Sequence, residues 1–316
     1  MDCRIHWNSL SLEEWNKRFS SIRRTPLLQS YEYAKAVYPG KGQRGKWGLI
    51  NIDGKEEGLV QIAEASTLCG FIHALILDMG PLWFCSNNIE EKSNVFFKEL
   101  NHQFPARFGR KRRIIPLLQK SDKSQIFMTN NGFFFAKTSP AYETIWLDIT
   151  GKEDTLRAHL KQKWRHQLNR AYRKNLSFLV DLKGHTLPEF LFNYQADTHQ
   201  KRYRNITPKD VPAFYEVFTK TKKALLCHAI HKEKIVASAL IFYHGCSATY
   251  QIGHVSETGR ELSANYFLLW EAIKRMKEDD IKDFDLGGIN AYDAKGIQHF
   301  KEGLNGEKSC IEGIYF

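Results

Sequence analysis

The chain has 316 residues, 42% of them hydrophobic and 13% aromatic, which suffices for two ordinary cores and excludes fibrous and disordered classes. Against 35 Asp and Glu stand 46 Lys and Arg, a formal charge of +11 that suits phosphate-rich partners such as RNA, nucleotides or anionic lipid. Six scattered cysteines with no CxxC pair, and a first segment with no basic-then-apolar leader, fit a cytoplasmic protein, and no run reaches the ~20 apolar residues that cross a bilayer.

In chain order, Ser11 to Glu14 reads as a capping box that opens a helix, and a second helix is expected around Leu28 to Val37. Strand-like runs follow at 46–52, 58–64 and 71–79, then an amphipathic helix over 88–104 and a strand over 113–118. The second half is expected to repeat that order. It opens with a strand at 143–149, a helix capped by Thr150 and Glu153, and helical runs at 188–200 and 208–222, each with Pro near its start. An antiparallel meander over 224–231, 235–244 and 247–255 follows, then a helix over 263–277 and a strand over 283–286. Strand, helices, three strands, helix, strand, twice over, is the element order of the GNAT acyltransferase fold in tandem. The expected class is therefore α/β (α+β), each domain a mixed, mostly antiparallel sheet flanked by helices. The turn signal Ser139-Pro140 sets the boundary, giving domains 1–141 and 142–316.

A single helix is expected over 152–174, with Leu156, Leu160, Trp164 and Leu168 on a packing face. Arg157, Lys161 and Arg165 form an adjacent cationic row, extended by Arg170, Arg173 and Lys174, which suits RNA or phosphate contact as well as a solvated face. Three other signals carry no site. Gly40 to Gly45 spells G-x-G-x-x-G but follows a helix and opens a strand, the reverse of a dinucleotide fingerprint. His228 and His231 are three apart on a strand and so face opposite ways, and His244 near Cys246 lacks an orienting group. No metal site and no cofactor is expected.

Seven segments in order resemble the FemABX-like aminoacyl-tRNA-dependent peptidyltransferases, a family of tandem GNAT-like domains. They are Gln29 to Lys35, Met79 to Pro81, Asn131 to Phe133 before Thr144 to Asp148, the basic helix Lys161 to Ala171, Ala264-Asn265 leading to Leu269 to Glu271, Phe284 to Gly288, and Gly296 to Gly303. The helical hairpin that some members insert has no room between 222 and 224. The resemblance implies that Lys301 stabilises the negative charge of acyl transfer and that Phe300 helps position the tRNA 3′ end. It further implies that Lys35, with Arg202 or Arg204, contacts the diphosphate of a nucleotide-linked muropeptide, so that the first domain binds acceptor and the second holds the transfer site. Tyr250 is a candidate substrate contact against a plain packing role.

The implied activity moves an amino acid from aminoacyl-tRNA to an amine of a nucleotide- or lipid-linked peptidoglycan-precursor peptide, by a monomer that also has an option of peripheral membrane-surface contact. Two alternatives stay open: an acyl-CoA-dependent N-acyltransferase, and a non-catalytic scaffold binding RNA or an anionic surface. The first is disfavoured because Arg260 to Asn265 carries neither glycine of the usual pyrophosphate turn.

Overall fold

A computed structural model describes residues 1–136, 141–201, 210–289 and 295–316, with the side chains of 197–201 and 295 set aside. The chain divides into two compact units, Met1–Glu143 with Ser309–Phe316, and Thr144–Lys308.

In the first unit the elements are β1 (Cys3–Trp7), α1 (Leu12–Ser21), α2 (Tyr31–Val37), β2 (Arg44–Ile52), β3 (Lys55–Thr67), β4 (Ile72–Gly80), β5 (Leu82–Trp83), α3 (Ile89–Gln103), β6 (Arg110–Pro116) and α4 (Asp122–Asn130). The sheet runs β1-β2-β3-β4-β6 with β5 on β3, and every pair is antiparallel except β4 with β6. The capping box forms: the Ser11 hydroxyl accepts from the Glu14 amide, and the Glu14 carboxylate accepts from the Ser11 amide at 2.9 Å. Ile50, Ile62 and Leu77 of the sheet pack with Phe96, Phe97 and Leu100 of α3, all fully buried.

Tyr315 belongs to this core and bridges Ile114 and Phe135. The assignment of 309–316 to the second domain is thus corrected: the final residues complete the first unit, because the Tyr315 ring has its apolar surface there and its hydroxyl donates to buried Glu312 at 3.0 Å.

The second unit comprises β7 (Tyr142–Asp148), α5 (Glu153–His159), α6 (Gln162–Tyr172), β8 (Ser177–Val180), α7 (Leu187–Lys201), α8 (Val211–Lys220), β9 (Ala224–His231), β10 (Lys234–His244), β11 (Ser247–Val255), α9 (Glu257–Glu261), α10 (Ala264–Glu278), β12 (Asp283–Asp285), α11 (Lys295–Glu302) and β13 (Glu307–Ile311), save that Tyr142 and Glu143 of β7 and Ser309 to Ile311 of β13 fall in the first. Its sheet runs β13-β7-β12-β11-β10-β9-β8, with β11 and β12 parallel. The class is the expected one, two mixed sheets flanked by helices. The repeat, however, is not in simple register. β8 occupies the place beside β9 that β1 holds beside β2, whereas β7 pairs antiparallel with β12. Thr144 to Leu147 are all buried, the unbroken pattern of an interior strand, while β8 alternates exposed and half-buried residues as an edge strand does.

The single helix expected over 152–174 is two. Leu160 (ψ 140°) and Lys161 (ψ 146°) are extended, so Lys161 starts α6 instead of continuing α5. The break is supported by outside partners: the Lys161 amide donates to the Gly303 carbonyl at 2.9 Å, and Asn305 donates to the His159 carbonyl at 3.1 Å. Leu160 and Trp164 are both buried as a result. Nor does Thr150 cap α5; Lys152 is the cap residue, and the Thr150 hydroxyl donates to Asp148 at 2.6 Å. Among the described residues no helix is long and apolar enough to cross a membrane.

Candidate active site

The second unit is parted at its centre. β11 and β12 pair only from Ser247–Asp283 to Thr249–Asp285, and two residues further Gly287 turns away with φ +71°. A Cβ on Gly287 would meet the Tyr250 carbonyl at 2.6 Å, so this close approach needs glycine on both steric and conformational grounds. Opposite Tyr250, β11 carries an extra residue: Leu240 faces Ile252 and Ile241 faces Tyr250, which leaves Gln251 outside the ladder.

The turn after β12 is tied down from below. Buried Asp285 accepts from the Thr144 hydroxyl of β7 and from the Gly287 amide at 2.8 Å. Burial raises the Asp285 carboxyl above the usual carboxylate range, opposed by those hydrogen bonds and by Lys301. With its amide held, the turn presents the carbonyls of Gly287 and Gly288 to the Lys301 ammonium, which donates to them at 3.3 and 2.9 Å. The same Nζ stands 5.8 Å from the centroid of the half-buried Tyr250 ring. Lys301 is only 7% exposed, and burial pushes its amine down to about 8, with Asp285 acting the other way. About one pH unit below that value, at neutral pH, the amine remains mostly charged.

Its place on α11 follows from the helix's other contacts. Phe300 lies against Trp164 and Tyr266, with centroids 5.9 and 5.1 Å apart, and Gly303 leaves room for the Trp164 ring where a Cβ would collide with it. Residue 301, one helical step from 300, then points at the Gly287-Gly288 turn. The arrangement is a desolvated cation with two of its three donors assigned among the described residues. That is what stabilising an oxyanion requires.

The other sequence-stipulated residues fall out differently. Tyr250 is at the site, its hydroxyl buried deeply enough to titrate above its ordinary range. Lys35 is exposed on α2 of the first unit, its ammonium 5.2 Å from the Tyr31 ring and 5.9 Å from that of Trp47. Arg202 and Arg204 lie outside the described residues. The continuous cationic row does not exist. Arg165 donates to the Ala158 carbonyl at 2.9 Å, closing the end of α5, and Arg157 donates to Asn169 and sits 5.7 Å from the Tyr172 ring. Both serve the junction of the two helices, whereas Lys161, Arg173 and Lys174 are exposed.

Sequence reasoning passed over Asp285, Thr144 and the Gly287-Gly288 pair as functional residues. A signal existed: an acid at the end of a strand followed by two glycines is a turn that brings backbone close to something. The histidines are structural. His228 bonds Thr186 and Ser238, each at 2.8 Å, and His244 bonds Thr249 at 2.8 Å.

Between β11 and α10, the amides of Arg260, Leu262 and Ser263 donate to the carbonyls of Ser256, Thr258 and Arg260 at 3.0 to 3.1 Å. The Ser263 hydroxyl, on a left-handed residue (φ 57°), donates to Gln167 at 2.6 Å. The segment that would cradle a pyrophosphate has these donors engaged internally.

Residues 154–302 match the family model of the acetyltransferase (GNAT) domain. Together with the sheet order, this gives the second unit a domain of the GNAT type, a fold of acyl transfer. The fold is similar to that of FemX, whose crystal structure superposes with a TM-score of 0.79 over 98% of this chain and 96% of that one, at 14% identity. A tandem GNAT protein from the clavulanic acid biosynthesis pathway gives 0.54 at 9% identity, covering 99% and 98%. The C-terminal domain of a putative lysylphosphatidylglycerol synthetase from Agrobacterium fabrum gives 0.53 at 14%, covering 96% and 92%. No curated protein matches the chain in sequence.

Proposed function

We propose that the protein is an aminoacyltransferase that moves an aminoacyl group from aminoacyl-tRNA to an amine of a peptidoglycan-precursor peptide. The observation that carries this reading is the buried, still charged Lys301, aimed by two carbonyls and an aromatic ring into the gap where β11 and β12 part. In the reaction the acceptor nitrogen attacks the ester carbonyl; a C–N bond forms and the C–O bond to the tRNA ribose breaks. The ribose oxygen leaves with the proton that the amine gives up. The ester is already activated, so orientation and a cation for the transient oxyanion suffice. Phe300 acts through packing, as the residue that fixes α11.

An aminoacyl-tRNA donor, not acyl-CoA, is favoured by the internally engaged amides ahead of α10. Lys161, Arg173 and Lys174 supply exposed positive charge for the tRNA backbone. Lys35, held beside two rings, is assigned to the acceptor's diphosphate, a role in which Arg202 or Arg204 would join it. Charged tRNA and nucleotide-linked precursors place this work in the cytoplasm.

The test offers the purified protein one muropeptide nucleotide with either charged tRNA or acyl-CoA. Amide product from charged tRNA alone is the expected outcome, and product from acyl-CoA alone refutes the donor assignment.

A further inference from the structure

At one end of the first unit's sheet, four large apolar side chains stand in water. Phe108 is 86% exposed, Leu68 69%, Phe71 55% and Ile72 49%. They come from two connections, β3 to β4 and α3 to β6, which the fold clamps together. Arg107 donates to the carbonyls of Gly70 (2.6 Å), Phe71 (2.9 Å) and Phe108 (3.1 Å), and the His73 amide donates to the Gly109 carbonyl at 2.8 Å. Gly109 (φ +79°) fits only as glycine, because a Cβ would lie 2.5 Å from the Phe71 carbonyl. The rings of Phe71 and Phe108 meet with centroids 6.0 Å apart.

This surface is not a loosely exposed loop. Leu68 and Cys69 hold left-handed backbone conformations (φ 49° and 53°) that ordinary side chains avoid, and both are exposed. Holding apolar side chains outward on a fixed, strained turn is a cost that an unused loop would shed. Around them basic side chains predominate, with Glu64, 3.3 Å from His73, set against them. Arg107 is exposed; Arg110 and Lys111 begin β6 beside His73 and Ala74; and Lys111, across from Ala74, shares a sheet face with Ile72. Among the described residues 105–112 none is acidic, and four are Arg or Lys.

We propose that this tip is a docking site for an anionic lipid surface, with Phe108, Phe71, Leu68 and Ile72 entering the headgroup boundary and Arg107, Arg110 and Lys111 meeting lipid phosphates. Aromatic and aliphatic residues ringed by Arg and Lys match that boundary in both polarity and charge. A protein partner's apolar face would leave the surrounding cations without counter-charge. The inference does not rest on the transferase reading, and its test needs no turnover.

The intact protein is sedimented with vesicles of phosphatidylcholine alone or mixed with phosphatidylglycerol. Binding is expected only with phosphatidylglycerol present, weakened by salt, and lowered roughly tenfold in the double variant F71S/F108S. The single variant K111E, which leaves the apolar tip intact, is expected to weaken binding to anionic vesicles as well. Unchanged thermal unfolding of both variants shows that they fold. Equal binding of wild type and F71S/F108S overturns the proposal. So does absence of vesicle binding together with a wild-type dimer that F71S/F108S converts to monomer, since the tip would then join two copies of the chain.

Discussion

Lys301 is a cation kept where water is scarce, and the consequence is a rate that depends on pH in one direction. Its amine titrates at about 8, below the 10.5 of a free lysine, because burial disfavours the charged form. If charge is what the oxyanion needs, transfer measured at saturating substrates should hold steady below pH 8 and decline as pH rises through it. A rate that instead climbs through pH 8 would make the neutral amine the working form. His244 gives the complementary case for stability. Its imidazole is pushed down to about 3 by burial, with Lys223 adding to the effect, so the folded state binds no proton there between pH 6.5 and about 3 while the unfolded chain does. Its stabilising contribution is complete above 6.5 and is lost as pH falls, with a slope of up to about 1.4 kcal/mol per pH unit. Denaturant titrations of wild type and H244Q across that window should show a shallower acid loss in H244Q, because the amide can still reach Thr249 and does not titrate. Of the proposed site's residues, Lys301 and Phe300 were named through a family motif. Asp285 and Thr144 were passed over because their role is to hold backbone, and the acid followed by two glycines was the trace that the sequence offered of it.

At the scale of elements, strands buried on one or two faces and strongly amphipathic helices were readable, and the meander β9 to β11 falls where alternation and turn residues place it. The failures share a cause: their determinants lie elsewhere in the chain. The α5–α6 break looks like continuous helix because Leu156, Leu160, Trp164 and Leu168 keep a four-residue spacing, and only Gly303 and Asn305 reveal why it stops. G303A should therefore unseat Trp164 and with it α11. The expected result is reduced thermal stability together with loss of transfer; a fully active, equally stable G303A would contradict the role given to this contact. Likewise β13 and the Tyr315 tail are too short and mixed to announce themselves. Y315A should cost roughly 3–5 kcal/mol in denaturant unfolding, as other buried aromatic truncations do, and a loss below about 1 kcal/mol would mean that the tail only decorates the first unit.

For the whole molecule, the two sheets divide the task that the account sets. The second unit carries the desolvated cation and matches the GNAT domain model, while the first is assigned acceptor contact through Lys35. K35A should accordingly raise KM for a diphosphate-linked acceptor, roughly tenfold, with kcat little changed; an unaltered KM removes Lys35 from the site. The excess of +11 suggested phosphate, yet two arginines of the expected basic row bond across a helix junction, and the exposed Lys161, Arg173 and Lys174 are the ones proposed for tRNA contact. The most direct test of the central claim is the rate of amide formation from aminoacyl-tRNA by wild type and K301A, with acceptor binding measured in both. A loss of about 100- to 1000-fold in rate with binding retained is the expected result, and K301A turning over at the wild-type rate would contradict the assignment of the oxyanion-stabilising charge to Lys301.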